Sequence, residues 1–537
     1  MANLQTLPAD DLPALSANGH HQIAPLEVID PTEEDIASQF PALVEQSLLA
    51  DEAGAPRYWI TVLDQSYRWA GTHYEPVRKS DLQRQIVRLA QSTTAYKKVR
   101  TNDGDQLVEY HPFTKPRLID EALRWFQQIT ARDPEEINPD GLINCRNGVL
   151  RISWHGAKPI TSIEPHNPSR HFVIDPPGLY FDPAADPADA ERLLECLLPQ
   201  GRRLFLQIAA ASLDISTIRD RFGHRVPALM AIGEGQNGKD TLREALSRIQ
   251  GRSSIATIGI SDWQQYEAGS GRGRFSIAAL DRARFSIASE NSGAFKIDNL
   301  QWLKAAITGD PIPVERKKIQ GVEINPRAVF LFFLNSPPLL DGGSAAILSR
   351  WAVVNMPHSY STTPRPGQLK ADPRFKHDPE WLAKSVLPAL LNLMLESLAD
   401  VAANGFDLEA CAADLQQLRE DTSHLHQFLR DEGYAIVGPA DYVEARRVWA
   451  DLQHWYQREG WLQPNRYGDL EHVETSSGDK PVMAARLLPG RLIALHPSLR
   501  KARETGQTRR TLIYGLAKVG PKSDSKSDPI TEEELPY

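Results

Sequence analysis

The stretch GEGQNGKDT at 233–241 is the feature that most restricts what this chain can become. Glycines at Gly233, Gly235 and Gly238 lead directly into Lys239, and the flanks are as informative as the motif. Before it, ALMAI (228–232) is an unbroken apolar run of strand length; after it, Leu242, Ala245, Leu246 and Ile249 recur at helical spacing. Strand, glycine loop and helix in that order aim backbone N–H groups and the positive end of a helix at one point, which attracts phosphate. Gly233, Glu234, Gly235, Gln236, Asn237 and Gly238 then form a cradle, and Lys239 reaches the outer phosphates of a nucleoside triphosphate. ATP with Mg²⁺ is the expected ligand.

One letter departs from the pattern. The position after the lysine should hold Ser or Thr, whose hydroxyl ligates magnesium, and here it is Asp240. Either Thr241 supplies the hydroxyl one residue later, or the Asp240 carboxylate, a hard oxygen donor, serves the metal through water. The third reading is a loop that binds nucleotide but hydrolyses it poorly, because another anion beside the phosphates adds repulsion.

Further apolar strands follow. RARFSIASENS delivers Glu290 to a strand end, where ligands of open α/β sheets collect. A carboxylate there can orient the attacking water and assist the metal. AVFLFFLNSPP ends at Asn335, placed to sense a terminal phosphate, and Arg350 in LSRWAVVNMP precedes another strand. Phosphoryl transfer is catalysed mainly by positioning and charge stabilisation, which this set of residues suits.

The expected architecture is α/β and multidomain. At 537 residues the chain exceeds a single core. A lead-in (1–54) with one helix near EEDIASQFPALVEQSLLA precedes a mixed α/β accessory domain (55–199), where YWITVLDQSYRWAGTHYEPV reads as a hairpin and GLINCRNGVLRISW as strands turning at Asn147 and Gly148. An ATPase core (200–365) with a mostly parallel sheet, a helical linker (366–420), a C-terminal module (421–516) and a polar tail (517–537) complete the chain. In the module, Val448, Leu452, Trp455 and Tyr456 share one helix face.

Composition removes other classes. With a net charge of -9, no global positive field attracts nucleic acid, so any such contact is local. Cys145, Cys196 and Cys411 stand alone, which points to a reduced cytoplasmic protein without structural zinc. The apolar run AVFLFFL (328–334) is far short of the roughly 20 residues of a membrane span, and no membrane partner is expected.

In GEGQNGKDT, FSIAALDRARFSIASEN, LQWLKAAITGDPIPVERKK, VFLFFLNSPP and SRWAVV, taken in order, the chain resembles the superfamily 3 helicases, in particular the helicase half of phage and plasmid primase-helicases and poxvirus-type replicative ATPases. The resemblance implies an AAA+-like core, Lys239 and Thr241 on the nucleotide, Glu290 as water-orienting base, Asn335 as sensor and Arg350 as a finger reaching the neighbouring subunit's site. It thereby implies a hexameric ring. It implies a winged-helix-like closing module and a hairpin within IPVERKKIQGVEINP, its strands joined near Gln320 and Gly321, that grips single-stranded DNA through Arg316, Lys317 and Lys318. Arg272 and Arg274 are further channel candidates; Arg500, Lys501, Arg503, Arg509 and Arg510 form a basic patch for duplex backbone, or merely a solvated surface. About fifty residues precede the accessory segment, fewer than the primase domain of larger relatives of that family takes, so no priming activity is expected here and a separate primase is an expected partner.

The expectation is therefore an ATP-dependent helicase or translocase acting on single-stranded and forked DNA, in a bacterium or a virus-infected cell. Two alternatives stand beside it: a ring ATPase that loads or remodels replication proteins, and a catalytically weak nucleotide-dependent DNA-binding module.

Overall fold

The structure, a computed structural model, describes residues 33–50, 54–102, 104–269, 271–290, 296–297, 300–316, 319–336, 338–340, 350–464, 470–472, 481–503 and 510–519. The chain divides into two compact units, Met1–Glu136 and Ile137–Tyr537. The division falls inside the segment expected to form one accessory domain.

In the first unit, helix α1 (Glu33–Leu49) precedes an antiparallel meander of β1 (Trp59–Val62), β2 (Gln65–Trp69) and β3 (Tyr74–Val77). The expected single hairpin is thus two. Leu63 and Asp64 make the first turn, both with positive φ (50° and 65°), the two-residue geometry that matches strand twist. Helix α2 (Lys79–Ser92), the β4 (Ala95–Thr101) and β5 (Gly104–Tyr110) hairpin, and α3 (Pro116–Ile129) follow. Helix α1 is no loose lead-in: Phe40, Val44 and Leu48, four residues apart, are buried with Leu82, Ile86 and Phe126, and Phe40 stacks on Phe113 at 4.6 Å.

The second unit opens with antiparallel β6 (Leu142–Cys145), β7 (Gly148–His155) and β8 (Lys158–Glu164). The β6–β7 turn is made by Arg146 and Asn147, with Gly148 already in the strand. A Cβ there would lie 2.5 Å from the Glu164 carbonyl oxygen, so glycine is required. Helices α4 (Ala188–Leu194) and α5 (Pro199–Ala211) lead to the central elements: β9 (Ala228–Ile232), α6 (Lys239–Gln250), β10 (Ile255–Ala256), α7 (Ile260–Glu267), α8 (Gly271–Ile277) and β11 (Phe285–Glu290). A short β12 (Lys296–Ile297), α9 (Gln301–Thr308), the hairpin β13 (Ile312–Arg316) and β14 (Ile319–Ile324), β15 (Val329–Leu334), β16 (Leu339–Leu340) and β17 (Trp351–Asn355) follow.

Five of these strands form one fully parallel sheet in the order β10-β11-β15-β9-β17. Its two faces are both apolar, as a parallel sheet requires. Leu229, Ala231, Val329, Leu331, Phe333, Ala352 and Val354 enter one core; Ala228, Met230, Phe330, Phe332, Leu334, Trp351 and Val353 enter the other. This strict alternation, invisible as polarity in VFLFFL, divides the strands between two helical layers.

Beyond the sheet come β18 (Ser359–Ser361), β19 (Gln368–Lys370), α10 (Arg374–His377) and the long helix α11 (Pro379–Asn404). Helix α11 is long and apolar enough to cross a membrane, a stretch the sequence reading passed over in favour of 328–334. Its Leu387, Leu390, Leu391, Met394 and Leu398 are, however, 0% exposed in the core shared with α5 and the sheet. Helix α11, within the segment 366–420 expected to be a linker, is therefore packed in the core beside the parallel sheet.

Helix α12 (Ala412–Thr422) leads into α13 (His424–Asp431), β20 (Tyr434–Ile436), β21 (Tyr442–Glu444), α14 (Ala445–Arg458), the β22 (Leu462–Pro464) and β23 (Leu470–His472) pair, α15 (Leu488–Leu495), and strands β24 (Arg500–Arg503), β25 (Thr511–Tyr514) and β26 (Leu516–Lys518). Val448, Leu452, Trp455 and Tyr456 are buried here as their spacing predicts. Strand β26 pairs with β20, so the module extends past the expected limit at 516.

Candidate nucleotide site

The register of the sheet places the expected residues on one rim. Glu290, Leu334 and Ile232 lie directly across from one another, and Asn355 aligns with Ile232 on the far side. Neighbouring strands are about 4.8 Å apart, so the ends of β9 and β11 are separated by roughly 10 Å, with the end of β15 and Asn335 between them. That gap is wide enough for a phosphate group and a water molecule. The Glu290 backbone ends β11 on this rim; its side chain lies outside the described residues.

Between β9 and α6 the loop follows the geometry its glycines predict. Gly238 caps α6 with φ 86° and Gln236 also has positive φ, 64°. Gly233 is enclosed: a Cβ would lie 2.4 Å from both Asn237 Nδ2 and the Met356 carbonyl oxygen. Asn237 is 3% exposed, and neither atom of its amide has a hydrogen-bond partner among the described residues. The Tyr360 N–H donates to the Gln236 carbonyl at 2.8 Å, tying β18 to the loop.

Lys239 is held at the centre. Its ammonium donates to the Gly233 carbonyl at 2.5 Å, the Leu334 carbonyl at 3.1 Å and Asn335 Oδ1 at 2.5 Å. Burial pushes its pKa down, with the neighbouring Asp240 carboxylate partly offsetting the shift. The lysine and Asn335, separated by 96 residues in sequence, are thus direct partners.

A cleft of about 620 Å³ opens over this rim, a size suited to a nucleotide. Gly235 to Thr241, Ser289 and Asn335 line it. Asp240 is exposed and Thr241 half-buried. Both present oxygen donors to the cleft beside the lysine, so the donor set fits a hard cation such as Mg²⁺ held by either residue. The opposite wall comes from residues the sequence reading missed: Arg192 and Glu195 near α4, and Tyr360, Lys370, Phe375 and Lys376 from β18 to α10. No local signal marks them, because only the tertiary return of 359–377 over the loop brings them there.

Arg350 lies elsewhere. It precedes β17, and its carbonyl accepts from the Ala228 N–H at 2.8 Å, at the start of the phosphate-loop strand. Five residues of strand rise, roughly 16 Å, separate it from the rim. Its Nε donates to Thr308 Oγ1 at 3.4 Å, and Thr308 lines a second cleft, of about 480 Å³, with Arg219, Arg225 and Arg327. Arg350 is therefore at the opposite end of the strands from Lys239.

A family model, described as a family of unknown function (DUF5906), matches residues 231–350, from the phosphate-loop strand to Arg350. Two solved structures are similar across most of the chain. The apo structure of the NrS-1 C-terminal region (305–718) has 15% identity and a TM-score of 0.41, covering 89% of this chain and all of that one (100%). The A form apo structure of the same region has 13% identity and a TM-score of 0.39, covering 86% and 96%. No curated protein matches the sequence.

The expected nucleic-acid residues are distributed as follows. Strands β13 and β14 pair as a hairpin with Arg316 across from Ile319, so Gln320 and Gly321 lie inside the second strand rather than at the join. Lys317 and Lys318, the Arg316 and Arg272 side chains, and Arg509 lie outside the described residues. Arg274, a channel candidate, is paired with Glu315 at 2.5 Å, which offsets its charge. Arg500, Lys501 and Arg503 are all exposed along β24, paired antiparallel with β25, and Arg510 is exposed just before β25.

Proposed function

We propose that the protein is an ATP-dependent DNA helicase or translocase of the superfamily 3 type, serving the replication of a phage, plasmid or other mobile element. The observation that carries this reading is the flush row of strand ends with Lys239 bonded to Asn335 on one rim and Arg350 at the opposite end of the same strands. An arginine at that end cannot serve the triphosphate of its own chain. It fits one held by a neighbouring copy, and repetition of that heterologous contact closes a ring, for which the resemblance supplies six copies.

On this reading the loop amides and Lys239 bind the triphosphate, Asn335 fixes the lysine and the terminal phosphate, and Glu290 orients water. Magnesium, held through Thr241 or Asp240, neutralises charge developing on the phosphates. Lys317 and Lys318, which lie in sequence between β13 and β14, grip single-stranded DNA, and the β24–β25 hairpin touches duplex backbone.

The test is ATP hydrolysis with and without single-stranded DNA, together with strand displacement on a forked duplex. Stimulation by DNA, lost in Lys239→Ala, supports the reading. Hydrolysis without displacement would instead favour a ring that loads other replication proteins.

A further inference from the structure

We propose that Glu420, His426 and His496 form a zinc site that staples the C-terminal module to the helix packed on the parallel sheet. The three residues come from three elements. Glu420 is in α12, whose Leu418 is buried in the sheet's second core and whose Asp414 accepts from Asn355 Nδ2 at 2.8 Å. His426 is in α13 and His496 directly follows α15, both in the module.

One ligand atom from each residue lies within 4.8 Å of the other two. The carboxylate sits between the rings, with Oε2 3.9 Å from His426 Nε2 and Oε1 3.8 Å from His496 Nδ1. These separations are too long for hydrogen bonds. They approach the roughly 3.3 Å edge of a tetrahedron with metal–ligand bonds of about 2.0–2.1 Å, so modest side-chain rotation closes the set around one ion. Two imidazoles and a carboxylate with a fourth position left for water is an established zinc ligand set, and imidazole disfavours Mg²⁺ and Ca²⁺.

The surroundings support the same ligand. Gln416 Nε2 donates to Glu420 Oε1 at 2.7 Å and to the Leu495 carbonyl at 3.4 Å, orienting the carboxylate from outside as a supporting group does in metal sites. His496 is 9% exposed, while His426 and Glu420 leave a path for an ion.

Chelator-treated full-length protein titrated with Zn²⁺ by calorimetry, and with Co²⁺ by visible absorption, tests the site. The expected result is one Zn²⁺ per chain, a tetrahedral Co²⁺ spectrum and an upward shift of Tm reversed by EDTA. Binding should weaken at least ~10-fold in Glu420→Gln and His426→Ala, both partly exposed and checked for folding by circular dichroism, and remain in Asp240→Asn. No binding by the unaltered chain, or equal binding in Glu420→Gln and His426→Ala, overturns the proposal.

Discussion

If Arg350 completes a neighbour's site, two inactive variants should repair each other. Arg350→Ala removes a half-buried side chain that donates to Thr308 Oγ1 at 3.4 Å, so a thermal melt of the variant accompanies the assay. An arginine stabilising the charge of phosphoryl transfer is worth at least ~10³ in kcat, or about 4 kcal/mol, so hydrolysis should fall that far while nucleotide affinity is retained. Lys239→Ala loses the bonds to Gly233, Leu334 and Asn335 and the phosphate contact with them. In an equal mixture, a seam works when its loop comes from the Arg350→Ala chain and its arginine from the Lys239→Ala chain. Random assembly gives that arrangement at roughly one seam in four, so the mixture should regain about a quarter of the unaltered turnover. The assay is steady-state phosphate release with single-stranded DNA, with the unaltered chain diluted by each variant as the control for coordination around the ring. If those dilutions lose activity only in proportion and the mixture still recovers nothing, Arg350 does not act across a seam and the geometric argument is refuted.

Gly233→Ala should cost about 1–3 kcal/mol and abolish nucleotide binding, because the added Cβ meets the Met356 carbonyl at 2.4 Å. Calorimetric titration with a non-hydrolysable analogue and a thermal melt check it; normal affinity would show the loop is not the phosphate site. Leu390→Ala or Met394→Ala in α11 should each cost about 2–5 kcal/mol in denaturant unfolding, since both are 0% exposed; a loss below ~1 kcal/mol would mean that the helix is not core. Glu164 is held at about 2 by its hydrogen bonds to Arg151 and His171, below its ordinary 4.5. A depressed carboxylate stabilises the fold above its unfolded pKa and loses that contribution as pH falls from about 4.5 to about 2, so Glu164→Gln should flatten the acid limb of stability over that window. Equal acid sensitivity of the two proteins would count against it. Replacing Arg500, Lys501 and Arg503 with Gln should lower the salt dependence of duplex binding by up to about 3 in log–log slope, at unchanged ATP affinity. An unaltered slope would make β24 an ordinary solvated surface.

The glycine loop is legible in the sequence because its elements are local: glycines, lysine, strand and helix fall within about twenty residues, and each element carries its own periodicity. The far wall of the cleft was not. Tyr360, Lys370 and Phe375 acquire meaning only when 359–377 folds back to bond with Gln236, a long-range event without a sequence period. The His426, His496 and Glu420 cluster was hidden similarly, since His496 stands 70 residues beyond His426 and neither has a ligand neighbour at motif spacing. The accessory segment misled for another reason. Strands 142–164 look like those of the first unit, but Ile143, Leu150 and Ile152 are buried with α5 and the sheet helices, and burial partners rather than strand propensity decide domain membership.

The pentapeptide RFSIA shows where local reading ends. At 274–278 it belongs to helix α8 and the turn after it; at 284–288 the same letters lead into and form strand β11. Intrinsic preferences are identical, so the difference lies in context. The second copy enters between β10 and β15, where Phe285 and Ile287 face one core and Ala288 the other, and its Arg284 N–H donates to Ser254 while its carbonyl accepts from Val329. In the first copy Phe275 stays exposed and only Ile277 is fully buried, which a single amphipathic turn can satisfy. Two buried faces demand an extended chain and one permits a helix. The same requirement leaves the Glu290 backbone at the rim, where the enclosed strand ends.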